Sequence, residues 1–248
     1  MYHFFVDPEQ IGEKEVKITG KDVNHIKNVL RMQQGEQICI SSGQDEKEYR
    51  CEIVSLSEEE IHAKIMWIEE VGMELPNKIY LFQGLPKSDK MELIIQKAVE
   101  LGVYEIVPVT TKRAVVKLNP KKEENKRRRW QAIAESAAKQ SKRMIIPQIH
   151  TIMSFQDAVQ YAKDIERKVI PYELAQGMKR TRELFRNIKQ GQSVAVFIGP
   201  EGGFDEEEIQ FAMAHEIVPV TLGKRILRTE TAGMAVLSML VFCLEPEE

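Results

Sequence analysis

No uninterrupted apolar run in the 248 residues approaches the roughly 20 needed to span a bilayer, which argues against a transmembrane helix. The opening stretch, Met1-Tyr-His-Phe-Phe-Val-Asp-Pro, also lacks the basic-then-apolar pattern of a secretory leader, and a cytoplasmic protein is expected. Cysteine is scarce: Cys39, Cys51 and Cys243 are odd in number, far apart, and set in strand-like or helix-like apolar stretches. That spacing speaks for buried thiols rather than a disulfide framework or a zinc cluster. The five histidines show no H-x-x-x-H pattern, and no metal is expected. Neither G-x-x-x-x-G-K-[ST] nor G-x-G-x-x-G occurs, which removes the common glycine-rich phosphate cradles. Internal repeats and low-complexity tracts are absent as well.

What is present fits a soluble α/β protein. Hydrophobic residues make up 43% of the chain, enough for one large domain or two ordinary ones. Net charge is only -3, but it is unevenly spread: between residues 110 and 145, twelve Lys or Arg stand against three acids, leaving -12 for the rest. Such a basic segment suits an anionic partner, nucleic acid first, because neutralising phosphates releases counterions. A solvated helix face with a mobile basic loop suits the same composition.

Up to Ile68 the chain shows short alternating segments, such as Glu15-Val-Lys-Ile, Gln37-Ile-Cys-Ile-Ser and Ile61-His-Ala-Lys-Ile-Met-Trp, separated by turn chemistry. The pattern predicts a small β-barrel or sandwich. Val23, Ile26, Val29 and Leu30 predict a helix over 21–32, and residues 69–77, with Gly72 and Pro76, read as a linker. From Lys78 strands alternate with longer helices, the rhythm of a parallel sheet. Strands are expected at 79–83, 104–109, 169–172, 194–198 and 217–222. A helix opens with the capping pair Asp89 and Glu92, buries Met91, Ile94, Ile95, Ala98 and Leu101, and stops at Gly102. Further helices are expected over 124–142, over 205–214 with Asp205 and Glu208 as caps, and over 231–244.

Two loops carry the candidate chemistry. Val194-Ala-Val-Phe-Ile198 runs directly into Gly199-Pro-Glu-Gly-Gly-Phe-Asp205, where glycine permits close approach of backbone to a ligand. Open α/β sheets place ligands at such carboxyl ends. A second junction follows a short helix later, Val220-Thr-Leu-Gly-Lys-Arg-Ile-Leu-Arg-Thr-Glu-Thr231. Two polar, glycine-bearing loops in succession suggest one shared pocket. Glu201 repels phosphate, so a ligand with hydrogen-bonding edges and positive charge fits better. As bare pattern, the first loop also fits a tight turn with a glycine hinge.

These residues carry a resemblance. Gly199-Pro-Glu-Gly-Gly, Leu222-Gly-Lys-Arg-Ile-Leu-Arg-Thr-Glu-Thr-Ala232 and Lys90-Met-Glu-Leu-Ile-Ile-Gln-Lys-Ala-Val-Glu-Leu-Gly102 closely resemble the bacterial small-subunit ribosomal RNA (uracil-N3) methyltransferases of the SPOUT superfamily. Asn24-His-Ile-Lys-Asn-Val-Leu-Arg-Met32 is similar to their N-terminal domain, so the likeness spans essentially the whole chain. The resemblance implies an α/β fold with a PUA-like β-barrel RNA-binding domain at 1–71. A SPOUT-type parallel sheet with a trefoil knot follows at 76–248. It further implies S-adenosylmethionine as cofactor, 16S ribosomal RNA or the small subunit as partner, and a homodimer. Transfer RNA as substrate, or a non-catalytic role in ribosome assembly, is the alternative.

In that frame Gly199, Pro200, Gly202, Gly203 and Gly223 allow close approach to the cofactor, and Leu222, Ile226 and Leu227 surround its adenine. Glu201 meets the ribose or the sulfonium, and Thr229 completes the cofactor set. Arg228 is the first catalytic candidate, through pairing with a uracil carbonyl, and Glu230 the second, as base. Thr229 or Thr231 orients the ring. His25 and Arg31, with Lys112, Arg113, Lys121, Lys122, Arg127 and Arg128 from the basic stretch, hold RNA by its phosphates.

Overall fold

Alternating inward and outward side chains build the first sheet. In the computed structural model, residues 1–70, 73–114, 120–175 and 177–246 are described; Val71 and Gly72 of the expected linker and Lys117 of the basic stretch lie outside them. Packing divides the chain into one unit of residues 1–74 with 138–146 and a second of 75–137 with 147–248.

The first unit contains β1 (Tyr2–Phe5), β2 (Glu15–Thr19), α1 (Lys21–Asn24), β3 (Gln37–Ser41), β4 (Lys47–Leu56) and β5 (Glu60–Glu70). They form a curled five-stranded sheet in the order β1-β3-β4-β5-β2, with β1 parallel to β3 and the remaining pairs antiparallel. Val16, Ile18, Ile38, Ile40, Ile53 and Ile61 are buried together beneath Val23 and Ile26. The helix expected over 21–32 is shorter: after α1 the chain widens into a π-type turn over His25–Val29, and Arg31 then takes a positive φ of 55° that ends it. Residues 138–146 return to this unit, where the Arg143 guanidinium and the Glu74 carboxylate are both buried and paired, Arg143 Nε donating to Glu74 Oε2 at 3.0 Å. Glu74 also accepts the N–H groups of Met144 and Ile145, so the charges are compensated.

The second unit alternates β6 (Ile79–Gly84), α2 (Lys90–Glu100), β7 (Glu105–Thr110), α3 (Pro120–Gln140, of which residues up to Ala137 belong here), β8 (Gln148–Ile149), β9 (Met153–Ser154), α4 (Phe155–Tyr161), β10 (Arg167–Pro171), α5 (Met178–Arg186), β11 (Val194–Ile198), α6 (Glu206–Ala214), β12 (Val218–Val220) and α7 (Thr229–Leu244). Its sheet is parallel in the order β12-β10-β11-β6-β7-β8, with β9 also on β7. Every residue of β11 is buried, as expected of a strand covered on both faces, and Phe197 stacks on Phe82 of β6 at 4.3 Å. Chain direction sets the place for a ligand. From β6 the chain passes through α2 to β7 on one side; from neighbouring β11 it passes through α6 to β12 on the other. The carboxyl ends of β6 and β11 therefore flank a topological switch point.

Local signals hold in part. Asp205 caps α6 with Glu208 in a reciprocal capping box, as expected. Asp89 stands before α2 but its side chain makes no capping bond, and the Glu92 carboxylate instead binds Arg129. Trp130, Ala134 and Ala137 of α3 are buried, while Ile133 is half-buried. Helix α7 begins two residues earlier than expected, which places Thr229 and Glu230 in its first turn. No helix among the described residues is long and apolar enough to cross a membrane.

Candidate active site

The floor of the site is a buried polar relay. Gln83, at the end of β6, is fully buried; its amide Nε2 donates to the Gly84 carbonyl and to Thr229 Oγ1, both at 2.9 Å. The Thr229 hydroxyl in turn donates to the Gly199 carbonyl at 2.6 Å. Three segments far apart in sequence are thus tied where β6, β11 and α7 meet. Gln83 Oε1 is buried without a hydrogen-bond partner among the described residues, an arrangement that costs about 1–3 kcal/mol.

Above the floor, the loop after β11 turns tightly. The Gly203 N–H donates to the Pro200 carbonyl at 2.9 Å, and Gly203 holds a φ of 65°. A Cβ on Gly199 would stand 3.1 Å from the Gly203 backbone, and one on Gly84 would stand 2.6 Å from Pro200 Cδ. Close approach of the chain therefore demands glycine at 84 and leaves a Cβ at 199 only tight room. Arg113 closes the far side, donating to the Gly202 carbonyl at 3.1 Å and lying 3.6 Å from Asp205.

Charge is organised around Lys90. Its ammonium lies 3.2 Å from Glu201 and 3.3 Å from Glu230, and the Lys87 N–H donates to Glu201 at 3.1 Å. The hydrogen bond that the Lys90 ammonium donates to Glu201 holds that ammonium above its ordinary range despite some desolvation, with Glu230 adding to the effect. Burial pushes the Glu201 carboxyl up, but N–H donors from its own backbone and Lys87, with the Lys90 ammonium, outweigh it and hold the group below the usual carboxylate range.

The loop after β12 forms the opposite wall. Thr221 Oγ1 both donates to the Gly223 carbonyl and accepts from its N–H at 3.3 Å, and Gly223 adopts a φ of 114°. Thr181 of α5 accepts the Thr221 N–H at 3.2 Å, and the Tyr172 N–H donates to Val220 at 3.0 Å. Leu222 and Leu227 are half-buried, whereas Ile226 is 86% exposed. Arg228 precedes α7 with an extended backbone; its side chain is exposed, makes no cap, and has no ion partner among the described residues.

Together these walls enclose a cleft of about 480 Å³ at the carboxyl ends of β10, β11 and β12. Its lining includes Gly199, Pro200, Glu201, Gly202, Gly203, Leu222, Gly223, Ile226, Leu227 and Thr229, every residue the sequence offered for a cofactor, and Arg228. Glu230 is not in the lining; its carboxylate is turned to Lys90. Sequence reasoning missed Lys90, Tyr172, Glu173, Thr221, Lys224 and Arg225 in the walls, and Gln83 and Gly84 beneath them.

A family model described as an RNA methyltransferase domain matches residues 73–241, and one described as an RNA methyltransferase PUA domain matches 18–66. The ribosomal RNA small subunit methyltransferase E of Bacillus subtilis is 40% identical over 252 residues, covering 99% of this chain and 98% of that one. The chain belongs to the ribosomal RNA small subunit methyltransferase E family. A methyltransferase E structure from Neisseria gonorrhoeae bound to S-adenosyl methionine matches with a TM-score of 0.84 and 31% identity, covering 98% of this chain and 97% of that one. A putative methyltransferase from Legionella pneumophila in complex with S-adenosylmethionine matches at 0.83 and 33%, over 97% and 96%.

The residues offered for RNA are dispersed over this methyltransferase E fold. In the first unit His25 is exposed in the π-type turn, its ring edge-on to Phe4, and Arg31 is exposed at the turn's end. In the second, Lys112 pairs with Glu207 and Asp205, which brings it and Arg113 to the start of α6. Lys121 and Lys122 are exposed on α3, and Arg127 and Arg128 both bind Glu124, at 3.1 and 2.9 Å.

Proposed function

We propose that the chain transfers the methyl group of S-adenosylmethionine to ring nitrogen N3 of one uridine in 16S ribosomal RNA, in the cytoplasm. The observation that carries this reading is the cleft at the carboxyl ends of β10, β11 and β12, walled by glycine loops, with a charged Glu201 inside and Arg228, without an ion partner among the described residues, in its lining.

The residues suit the cofactor. About 480 Å³ lies within the 300–1,000 Å³ typical of small-molecule sites. Glu201, held charged within the cleft beside Lys90, is an acid able to face a sulfonium. Backbone groups of Leu222, Ile226 and Leu227 surround adenine, and the loop of 199–203 lies against ribose and methionine. Bound there, the cofactor supplies a methyl group already activated for in-line displacement. The chain must deal with the N3 proton, which uridine retains at neutral pH. The N3 proton passes to solvent water while Arg228, pairing with a uracil carbonyl oxygen, favours the deprotonated ring as it forms. Thr231, exposed in the first turn of α7, orients the base.

Residues 1–71 act as the PUA-like RNA-binding domain and 76–248 as the SPOUT domain. The trefoil knot is supported by the path of the chain: it leaves β11 for the edge strand β12, then returns so that Thr229 lies on Gly199. Such threading is rare and no periodicity announces it.

Calorimetric titration with S-adenosylmethionine, followed by transfer of labelled methyl to unmethylated small-subunit RNA, assembled subunits and bulk transfer RNA, tests the whole. Binding together with incorporation into small-subunit RNA is expected. No heat at millimolar cofactor rejects the enzyme, and label in transfer RNA alone rejects the substrate.

The homodimer rests on α7, apolar along almost its whole length, yet with Phe242 88% exposed. A second copy covering this face explains that exposure. Replacing Phe242 by glutamate is expected to shift sedimentation at micromolar concentration from dimer to monomer. An unchanged dimer places the interface elsewhere.

A further inference from the structure

Several cations of the basic stretch are already held by acids in the fold. Lys112 and Arg113 are held by acids at the start of α6, Arg127 and Arg128 by Glu124, and Arg129 by Glu92. A cation already paired with a carboxylate has less to gain from a phosphate, because the pair must be broken first.

Cations without an acid partner also lie on α5. Thr181 and Phe185 are buried, which turns Lys179, Arg182 and Arg186 outward on one stripe of the helix, with Arg180 on its other flank. The three arginines are exposed and have no ion pair among the described residues; the only contact to an acid is the loose one between Lys179 and Glu183 at 3.8 Å. The hydrogen bond from Thr221 to Thr181 ties the start of this helix to the loop in which Lys224 and Arg225 stand exposed on the cleft rim. Glu173 is the acid that faces the cleft from this side.

We infer that the outward stripe of α5, continued by Lys224 and Arg225, is a phosphate-binding track that seats the substrate RNA beside the cleft. The inference rests on the proposed RNA methyltransferase reading and names a surface of that same site. Contacts of this kind fix register without reading sequence, leaving selection of the base to the cleft. Each phosphate bound by one of these cations releases about 0.7–0.9 of a counterion equivalent, so the track leaves its mark in the salt dependence of RNA binding.

The test compares the full chain with K179E/R182E/R186E and with the milder R182Q/R186Q, none of which lines the cleft. For the triple variant, the KM for small-subunit RNA near 150 mM salt is expected to rise at least about tenfold, and the slope of log affinity against log salt to fall by about two to three. The KM of the milder variant should rise less, with kcat at saturating RNA, the Kd for S-adenosylmethionine and the dimer unchanged in both. Should the triple variant fail to fold, the milder one decides. A KM within twofold of the parent together with a salt slope changed by less than about one overturns the track, as does a KM rise accompanied by loss of the dimer, which assigns the stripe to subunit contact. Were the parent protein to methylate no RNA at all, the functional reading itself would fail. Filter binding of the same RNA then reads the track separately, and equal retention by parent and variants overturns it.

Discussion

Arg228→Ala is expected to bind S-adenosylmethionine within about threefold of the parent and to lose about 100- to 1,000-fold in kcat, the range for removing one donor that stabilises a developing anion. The expectation follows from what Arg228 does not do. Its side chain neither caps α7 nor pairs with an acid among the described residues, and its structural contribution is the backbone carbonyl that accepts the Ala232 N–H at 2.8 Å. Alanine keeps that bond, so stability should change by no more than about 0.5 kcal/mol. Single-turnover methylation at saturating RNA isolates the chemical step. Lysine should recover only part of the rate, since an ammonium cannot present the planar fork of a guanidinium to a uracil carbonyl. A loss below about tenfold, roughly 1.4 kcal/mol of barrier, removes Arg228 from the chemistry. Glu230 is the less suitable group: its carboxylate is engaged by Lys90 at 3.3 Å and lies outside the cleft lining.

Much of this site was legible because its chemistry is local. Gly199 to Gly203 and Leu222 to Leu227 follow apolar strands directly, so a strand end, a glycine and an exposed amide can be read from one short window. The capping box of Asp205 and Glu208 is legible for the same reason. What escaped depends on residues distant in the chain. Gln83 reaches Thr229 across 146 positions, and Glu201 accepts the Lys87 N–H across 114. Neither pairing leaves a trace in periodicity. The polar run Arg228-Thr-Glu-Thr reads as loop, yet the bonds of Thr229 to Gln83 and Gly199 bring it into α7. The basic stretch misleads in the same way, since Glu207 and Asp205, which neutralise Lys112 and Arg113, lie about ninety residues further on. Strand β1 is another case: Tyr2–Phe5 finds its partner in the parallel β3, whose register is set by contacts and not by a turn. Helix α5 was missed because its outward face is almost wholly charged and its buried face is only Thr181 and Phe185.

Gly84→Ala tests whether backbone contact beneath the loop, and not only the loop's own glycines, holds the cofactor cleft open. The new Cβ would lie 2.6 Å from Pro200 Cδ, 2.7 Å from Pro200 N and 3.1 Å from the Gly199 carbonyl carbon, all rigid parts of the loop. Strand β6 is central in the sheet, paired on one side with β7 and on the other with β11, so it has little freedom to yield. The loop must move instead, by several tenths of an ångström, and that motion disturbs the 2.6 Å bond from Thr229 to Gly199 and the seat of Glu201 on the Lys87 N–H. Overpacking of this kind costs about 1–3 kcal/mol, a Tm lower by about 3–10 °C in a chain of this size. The strained loop should also weaken S-adenosylmethionine binding by about 100-fold, equivalent to roughly 2.7 kcal/mol. Gly203→Ala provides the contrast: nothing lies within 4 Å of its Cβ, so only the left-handed φ of 65° is penalised. That penalty is about 1–2 kcal/mol. Differential scanning fluorimetry and calorimetric titration measure both effects on both variants. If Gly84→Ala binds the cofactor as tightly as Gly203→Ala does, contact between β6 and the 199–203 loop does not shape the cleft, and the relay from Gln83 through Thr229 must position Gly199 by itself.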